Sequence, residues 1–183
     1  FRIKLLGISE IVDGKLFERV HPCLVNKDSY IGNVNGVMNA VITEGEPVGE
    51  SVLQGEGAGP GPTSSALMSD LLSILRGNIK FPFGIPNIKR KSIKVFNYDN
   101  YINSLYLRFE VKDKPGVLAQ ITNRLALKNI SVERLIQIPN YKNKTASIVI
   151  ITHKSKELDA QHCINAISKS KNILKYPTLI RLL

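Results

Sequence analysis

A glycine-rich stretch is the first place in this 183-residue sequence where chemistry could be concentrated. Gly55 to Pro62 read GEGAGPGP, with four glycines and two prolines in eight residues. A glycine-rich turn between a strand and a helix can hold a phosphate, because amides at the helix N-terminus point at the anion. The spacing is wrong for both standard phosphate loops, however. Pro60 or Pro62 stands where a dinucleotide fingerprint needs its third glycine, and no lysine between Lys27 and Lys80 completes a P-loop.

Two interpretations of this turn remain. It is either a tight connection between a strand and a helix, or a length of backbone that a ligand approaches closely. Each glycine destabilises a protein by roughly 0.5–1 kcal/mol where the backbone would accept alanine. A plain connection therefore explains four glycines poorly.

Asp113 and the run Pro115-Gly116-Val117-Leu118 form a second candidate, where a predicted strand meets a predicted helix. Gly116 permits a ligand to approach the backbone, and free amides at a helix N-terminus attract a carboxylate. A plain turn punctuated by proline and glycine accounts for the same residues. The residues alone leave both interpretations open.

The cysteines and histidines predict no metal centre. Cys23 and Cys163 lie far apart and outside any CxxC pair, although His21 and His162 are close neighbours of them in sequence. A structural zinc site needs four ligands at recurring spacings, which this sequence lacks. We expect two reduced, mostly buried thiols, as in a cytoplasmic protein.

The net charge of +10 is unevenly distributed. Six basic and nine acidic residues give residues 1–76 a charge of −3, whereas residues 77–104 carry +4 and residues 105–183 carry +9. A basic C-terminal half could attract nucleic acid, but no RNA-binding aromatic motif or zinc-finger spacing accompanies it. We expect a lysine-rich surface and no nucleic-acid partner. No apolar run of about 18 residues occurs, so we also expect no membrane partner.

Residues 1–76 are predicted to form four strands and a helix. RIKLLGIS and KLFERVHPCLV read as a hairpin that turns at Asp13-Gly14. VNGVMNAVITEG and PVGESVLQG are two further strands, joined through the EGEP turn. After the glycine-rich turn, apolar residues recur at helical spacing. Pro62 suits the first helical turn, or Thr63 caps it, and Gly77 ends the helix.

Residues 77–104 are predicted to be a basic connector rich in proline and glycine. Its FPFGIPNIKRKS segment is unsuited to both sheets and helices. We expect a disordered or partly extended crossing between two domains.

Residues 105–183 follow the order strand, helix, strand, strand, helix, strand. LYLRFEVKD alternates, TASIVIITH is rich in β-branched residues, and the second helix is expected to turn Leu158, Ile164 and Ile167 inward. This βαββαβ order predicts a ferredoxin-like fold, with a four-stranded antiparallel sheet and both helices on one face. The whole chain is therefore predicted to be α+β.

Asp113 and the Pro115–Leu118 run, within this βαββαβ order, make residues 105–183 resemble the ACT domain. That domain is a regulatory module that usually binds amino acids at dimer interfaces. The resemblance implies an amino-acid effector, with threonine expected as a pathway end product. The implied effector-binding residues are Asp113, Gly116, Val117, Leu118 and Gln137.

GEGAGPGPTSSALMSDL is similar to the Gly-x-Gly-Ala-Gly-x-x-Pro-Thr segment, followed by Asp-Leu, of the homoserine dehydrogenase family. Residues 1–76 then correspond to the second half of that family's catalytic and dimerisation domain, with a mixed or antiparallel sheet. The resemblance implies that the turn closes on the nicotinamide end of NAD or NADP. The implied cofactor-binding residues are Gly57, Ala58, Gly59 and Thr63, with Gly59 the first choice.

Family members interconvert aspartate semialdehyde and homoserine, a step of threonine, methionine and isoleucine biosynthesis. Their acidic substrate ligands and proton-transferring lysine come from segments that precede Phe1. We therefore assign no catalytic residue, and we expect residues 1–183 alone to bind no cofactor and transfer no hydride. The resemblance also implies a cytoplasmic homodimer or higher homo-oligomer, and it does not distinguish NAD from NADP. The alternative from another class is a noncatalytic module for amino-acid binding and dimerisation.

Overall fold

The computed structural model describes residues 1–78 and 84–183, which form two compact units. One unit combines residues 1–26 with residues 94–183, and the other contains the described residues between 27 and 93. The helices and strands of the described residues are β1 (Arg2–Val12), β2 (Lys15–Val25), β3 (Met38–Gly45), β4 (Gly49–Glu56), α1 (Pro60–Leu75), β5 (Ile102–Asn103), β6 (Leu105–Lys112), α2 (Val117–Ala126), β7 (Val132–Asn140), β8 (Thr145–Thr152), β9 (Ser155–Lys156), α3 (Glu157–Ser168) and β10 (Thr178–Leu182).

A six-stranded mixed sheet organises the first unit, in the order β1-β2-β10-β6-β8-β7. β2 and β10 are parallel, and the other neighbours are antiparallel. The β1–β2 hairpin turns at Asp13 and Gly14, whose φ angles of 50° and 70° suit a type I′ turn. These features confirm the predicted α+β class, the hairpin and the antiparallel βαββαβ arrangement.

The core of the first unit lies between the sheet and helices α2 and α3. Every second residue of β6 and β8 is buried, as expected for strands with one covered face. On α3, Leu158 is 38% exposed, so the expectation that it faces inward was wrong. The inward stripe starts one residue earlier, at the fully buried Glu157. It continues through Ala160, Cys163, Ile164 and Ile167.

The strands of residues 1–26 belong to the same sheet as those of residues 105–183. The sequence analysis assigned these two segments to separate domains, with the first domain ending at residue 76. Phe17 is buried, and its ring centroid lies 5.4 Å from that of Phe96 and 4.6 Å from that of Tyr101. The Leu16 N–H donates to the Lys94 carbonyl at 2.9 Å. Long-range strand pairing with β10 and these aromatic contacts hold the hairpin in the first unit.

The connector expected at residues 77–104 is partly regular structure. Residues 79–83, which include the first three residues of the FPFGIPNIKRKS segment, lie outside the described residues. Asn87–Lys89 and Tyr98–Asn100 are short 3-10 turns, and Ile102–Asn103 pairs with Ser155–Lys156. The last residues of the connector therefore join the first unit through backbone hydrogen bonds.

The second unit contains the β3–β4 hairpin and α1. The hairpin pairs Met38 with Glu56 at one end and Gly45 with Gly49 at the other, which confirms both predicted strands. The helix predicted after the glycine-rich turn is also confirmed, and Gly59 is its N-cap. Prolines occupy its first turn, and no side chain caps it, so Thr63 is not the cap.

Candidate functional sites

A cavity of about 400 Å³ lies at the N-terminus of α2, between the end of β6 and strand β7. It is lined by Val111, Lys112, Asp113, Lys114, Pro115, Gly116, Val117, Leu118, Gln137 and Ile148. The structure thus brings together all five residues that the sequence suggested for an effector: Asp113, Gly116, Val117, Leu118 and Gln137.

Local backbone geometry shapes one wall of this cavity. Gly116 is the N-cap of α2 and adopts a left-handed conformation with φ of 85°, which an L side chain rarely adopts. The Val117 N–H reaches back to the Lys114 carbonyl at 3.4 Å, and the Gln120 N–H donates to the Gly116 carbonyl at 2.9 Å. Among residues 84–183, no partner takes the N–H groups of Leu118 and Ala119. These two amides can bind a carboxylate at the positive end of the helix dipole.

Side chains of both charges line the cavity, Asp113 between Lys112 and Lys114, and Gln137 of β7 lies near them. Gln137 lies opposite Ile148 of β8 in the β7 register, and its Nε2 donates to Asp113 Oδ1 at 3.4 Å. The Asp113 backbone N–H donates to the Lys144 carbonyl, which fixes the start of the loop. Asp113 offers a negative partner for an ammonium group, while the α2 N-terminus and two lysines favour a carboxylate. The cavity is therefore suited to a zwitterion such as a free amino acid.

The second candidate, the glycine-rich turn, joins β4 to α1 in the other compact unit. Gly57, Ala58, Gly59 and Thr63, the four suggested cofactor-binding residues, lie within this single turn and the start of α1. The Gly57 N–H donates to the Val37 carbonyl at 3.0 Å and extends the β3–β4 ladder by one pair. Gly59 has φ of 123°, a conformation open essentially to glycine alone.

The prolines of this turn decide how many amides it can offer. Pro60 and Pro62 have no N–H, and the Thr63 N–H donates to the Gly59 carbonyl at 3.2 Å. Only Gly61 in the first turn of α1 can give an N–H to a ligand. A phosphate cradle requires several convergent amides, so the geometry agrees with the sequence argument against one.

The described residues contain no cluster of three or more potential metal ligands among histidine, cysteine and acidic side chains. Cys23 and Cys163 are both free and buried, as predicted. Burial raises the pKa of the Cys23 thiol. It also raises the pKa of the Cys163 thiol, to about 11. Both thiols therefore stay protonated near neutral pH and are poor nucleophiles. Within residues 1–78 and 84–183, no helix combines the length and hydropathy of a membrane span.

The sequence analysis did not predict one buried polar cluster, which is centred on Glu157. Glu157 is fully buried at the start of α3, where it accepts hydrogen bonds from Asn103 Nδ2 at 3.0 Å, Gln161 Nε2 at 3.0 Å and Arg181 Nε at 3.1 Å. Burial alone would raise its pKa, but these hydrogen bonds outweigh burial and lower it. Burial and the nearby Glu157 carboxylate raise the pKa of Tyr98 to about 12. The only sequence signal was an acidic residue on the inward stripe of an amphipathic helix.

Two family matches cover most of the chain. Residues 1–72 match the homoserine dehydrogenase family, and residues 105–171 match the ACT domain family. The first match contains the β1–β2 hairpin and the glycine-rich turn, and the second contains the cavity at the α2 N-terminus.

Similar proteins carry the same family name. Homoserine dehydrogenase from Neisseria gonorrhoeae is 37% identical over all of this chain and 43% of its own length, and that from Synechocystis is 33% identical over 44% of its length. A crystal structure of a homoserine dehydrogenase from Thiobacillus denitrificans matches the whole chain with a TM-score of 0.86 and 31% identity, over 42% of that protein. The chain thus spans less than half the length of these relatives.

Proposed function

The chain belongs to the homoserine dehydrogenase family over residues 1–72 and to the ACT family over residues 105–171, and on this premise we propose two functions for it. The first is to supply part of the catalytic region of an oxidoreductase that interconverts L-aspartate 4-semialdehyde and L-homoserine with NAD or NADP. The second is to bind an amino acid, threonine in particular, that controls this activity.

The glycine-rich turn supports the catalytic part of the proposal. When bound, a nicotinamide cofactor would supply hydride-transfer chemistry to the aldehyde carbon of the substrate. In this chain the turn at Gly57–Gly59 and the start of α1 would form a wall of the nicotinamide site. A Cβ at Gly55 or Gly61 would meet no atom of the chain within 4 Å, so open space lies over the backbone there. A flat ring could approach that surface closely, which fits the cofactor.

The cavity at the α2 N-terminus supports the proposal that the chain binds a regulatory amino acid. A carboxylate would accept hydrogen bonds from the Leu118 and Ala119 amides, while Asp113 would accept from the ammonium group. Gln137 is already hydrogen-bonded to Asp113 and would orient that carboxylate. Binding alone does not produce feedback control, because control requires different effector affinity in two states of the enzyme.

The catalytic proposal is tested with the full-length protein that contains this chain. We expect NAD(P)H-dependent reduction of aspartate semialdehyde by that protein. We expect no reduction by residues 1–183 alone, because the chain spans less than half the length of its dehydrogenase relatives and we assign no catalytic residue to it. Full-length protein without turnover that still binds threonine would favour the alternative, a noncatalytic amino-acid-binding module.

The regulatory proposal is tested on residues 1–183 directly. Threonine titrated into the protein in a calorimeter should give saturable heat, and threonine should raise the melting temperature by mass action. Threonine methyl ester, which differs only in lacking the free carboxylate, is the matched control and should give neither. Absence of both signals with threonine would refute threonine as the effector.

We also propose that the protein is a cytoplasmic homodimer or higher homo-oligomer. The edge strands β1 and β7 expose apolar side chains, among them Leu5 at 72% and Ile138 at 58%. Exposed apolar edges favour pairing with another copy. Two buried free thiols are consistent with a reducing compartment. Sedimentation of the full-length protein as a monomer at micromolar concentration would contradict the oligomer.

A further inference from the structure

His21 of β2 lies where the β1–β2 hairpin joins the rest of the first unit. The hairpin and β10 are connected by a short parallel pairing, in which Cys23 lies beside Arg181 and Leu24 beside Leu182. We call this pairing the seam. His21 precedes Cys23 by two residues, so both side chains lie on the same face of β2, next to the seam.

Hydrogen bonding assigns the neutral form of the His21 ring. Nδ1 lies 3.1 Å from the Pro22 carbonyl oxygen, which can only accept, so Nδ1 carries the ring hydrogen and donates it. Nε2 is buried, and among residues 1–78 and 84–183 it has no hydrogen-bond partner. A proton added at Nε2 would therefore be a buried donor without an acceptor, which is unfavourable.

The side chains around this ring are mainly cationic. Arg19 lies on the same face of β2, Lys4 on the same face of β1, and Arg181 on β10. The Cys23 thiol lies 3.2 Å from Nδ1, and burial raises its pKa, so it is neutral near pH 7. A protonated His21 would add a further positive charge to this group.

The carboxylates of the region are already paired. Glu157 of α3 is bound to Arg181, and Glu10 of β1 is bound to Arg19. Burial is the main cause that lowers the pKa of the His21 imidazole from 6.5, and the two guanidinium charges lower it further against its backbone hydrogen bond. His21 is therefore neutral in the folded protein at pH 7.

We propose that His21 is a pH-sensitive contact of the seam, neutral in the folded protein, whose protonation loosens the β1–β2 hairpin from β10. Residues 1–72 match the homoserine dehydrogenase family and residues 105–171 the ACT family, so the seam joins the two matched segments within one sheet. Mild acid then weakens the connection between them. The proposal goes beyond the function proposed above and depends neither on hydride transfer nor on effector binding.

A nuclear magnetic resonance titration of residues 1–183 tests the protonation and its structural effect. The ring resonances of His21, assigned through its backbone, should titrate with a midpoint below pH 6.5. The Leu183 N–H donates to the Leu24 carbonyl at 3.0 Å across the seam. Its protection from hydrogen exchange should fall over the same pH range, whereas amides of the β6–β8 ladder should keep their protection.

Urea unfolding at pH 7.5 and pH 5.5 measures the energetic effect. A histidine that is neutral when folded and titrates near 6.5 when unfolded raises the unfolding equilibrium constant by up to about tenfold over this interval. His21→Gln cannot take up the proton and should lose most of this change. The matched control is His153→Gln, which removes an exposed histidine and should keep the wild-type pH dependence. The folded pKa of Glu157 is below 4.5, so this carboxylate stays ionised in the folded protein across the interval.

Three results would overturn the proposal. The first is a His21 ring that titrates at or above pH 6.5 in the folded protein. The second is a ring that titrates below pH 6.5 while the Leu183 amide keeps its protection. The third is an equal pH dependence of unfolding in wild type and His21→Gln. The first two measurements use the wild-type chain, so they decide the matter even if His21→Gln does not fold.

Discussion

Arg181 at the end of β10 and Glu157 at the start of α3 form a buried ion pair at the junction of strand, helix and hairpin. Arg181 Nε donates to Glu157 Oε2 at 3.1 Å, and the Glu157 side chain has no exposed surface. The guanidinium also lies 5.4 Å from the ring centroid of Tyr98. Arg181 pairs with Cys23 of β2 in the parallel register, so the ion pair sits where the β1–β2 hairpin joins the rest of the sheet.

Breaking this pair should destabilise the first unit strongly. Arg181→Met leaves the Glu157 carboxylate buried without its cation, and such changes typically cost about 3–5 kcal/mol of unfolding free energy. Urea unfolding followed by circular dichroism measures the loss. The matched control is Arg108→Met, which breaks an exposed pair with Glu110 and should cost about 1 kcal/mol or less. Equal losses in the two variants would contradict a special role for the buried pair.

Acid should weaken the same pair. The folded pKa of Glu157 is lowered from 4.5, so the unfolded chain binds its proton first as pH falls. The stability from Glu157 is complete above pH 4.5 and is lost as pH falls through the lower folded pKa. Urea unfolding between pH 6 and pH 3 should therefore show a steeper decline for wild type than for Glu157→Gln. Parallel pH profiles would refute this assignment.

Asp113 should matter for effector binding and little for folding. Asp113→Asn removes the charge that we propose to pair with the ammonium group of the effector. A charge-assisted hydrogen bond contributes about 1.5–3 kcal/mol, so the threonine Kd should rise by about 10- to 100-fold. Isothermal calorimetry measures this change. The control is Asp159→Asn, which removes an exposed carboxylate of α3 that pairs with Lys128. This variant should leave the threonine Kd unchanged.

Gly116 should be replaceable only by residues that tolerate a left-handed backbone. Alanine at φ of 85° is strained by about 1–2 kcal/mol, although its Cβ meets no atom within 4 Å. Gly116→Ala should lower the unfolding free energy by this amount. Gly116→Asn should lower it less, because asparagine adopts left-handed conformations more readily. An asparagine variant less stable than the alanine variant would argue that space, and not backbone conformation, selects glycine.

Both cysteines should resist alkylation in the folded protein. Burial keeps the pKa of Cys163 near 11 and raises that of Cys23, so thiolate is scarce and access is blocked. Iodoacetamide at pH 7.5 should leave the 20.3 kDa chain unmodified, as read by intact mass. The same reagent in guanidinium chloride should add two labels. Rapid labelling of either thiol in the native protein would show that its segment opens readily.

Patterns within short stretches of the sequence predicted many of the strands, helices and turns. The Asp13-Gly14 dipeptide predicted a hairpin because both residues accept positive φ, and the alternation from Leu105 to Val111 predicted a strand with one buried face. The resemblance to the ACT domain suggested five effector-binding residues, four of them between Asp113 and Leu118, and the structure brings all five to one cavity. Gln137 came from resemblance, and the structure places its amide 3.4 Å from Asp113. Whether these residues bind an effector stays a prediction.

Contacts between distant residues were decided only by the tertiary structure. The pairing of β2 with β10 and the burial of Glu157 against Arg181 have no signal within a short window of sequence. Periodicity shows which face of an element is apolar, and turn residues show where the chain reverses. Neither states which distant strand becomes a neighbour, because that depends on how all the apolar faces are buried together. The sequence along the chain therefore indicated the chemistry of each segment, whereas the partners of Glu157 were defined only in the folded structure.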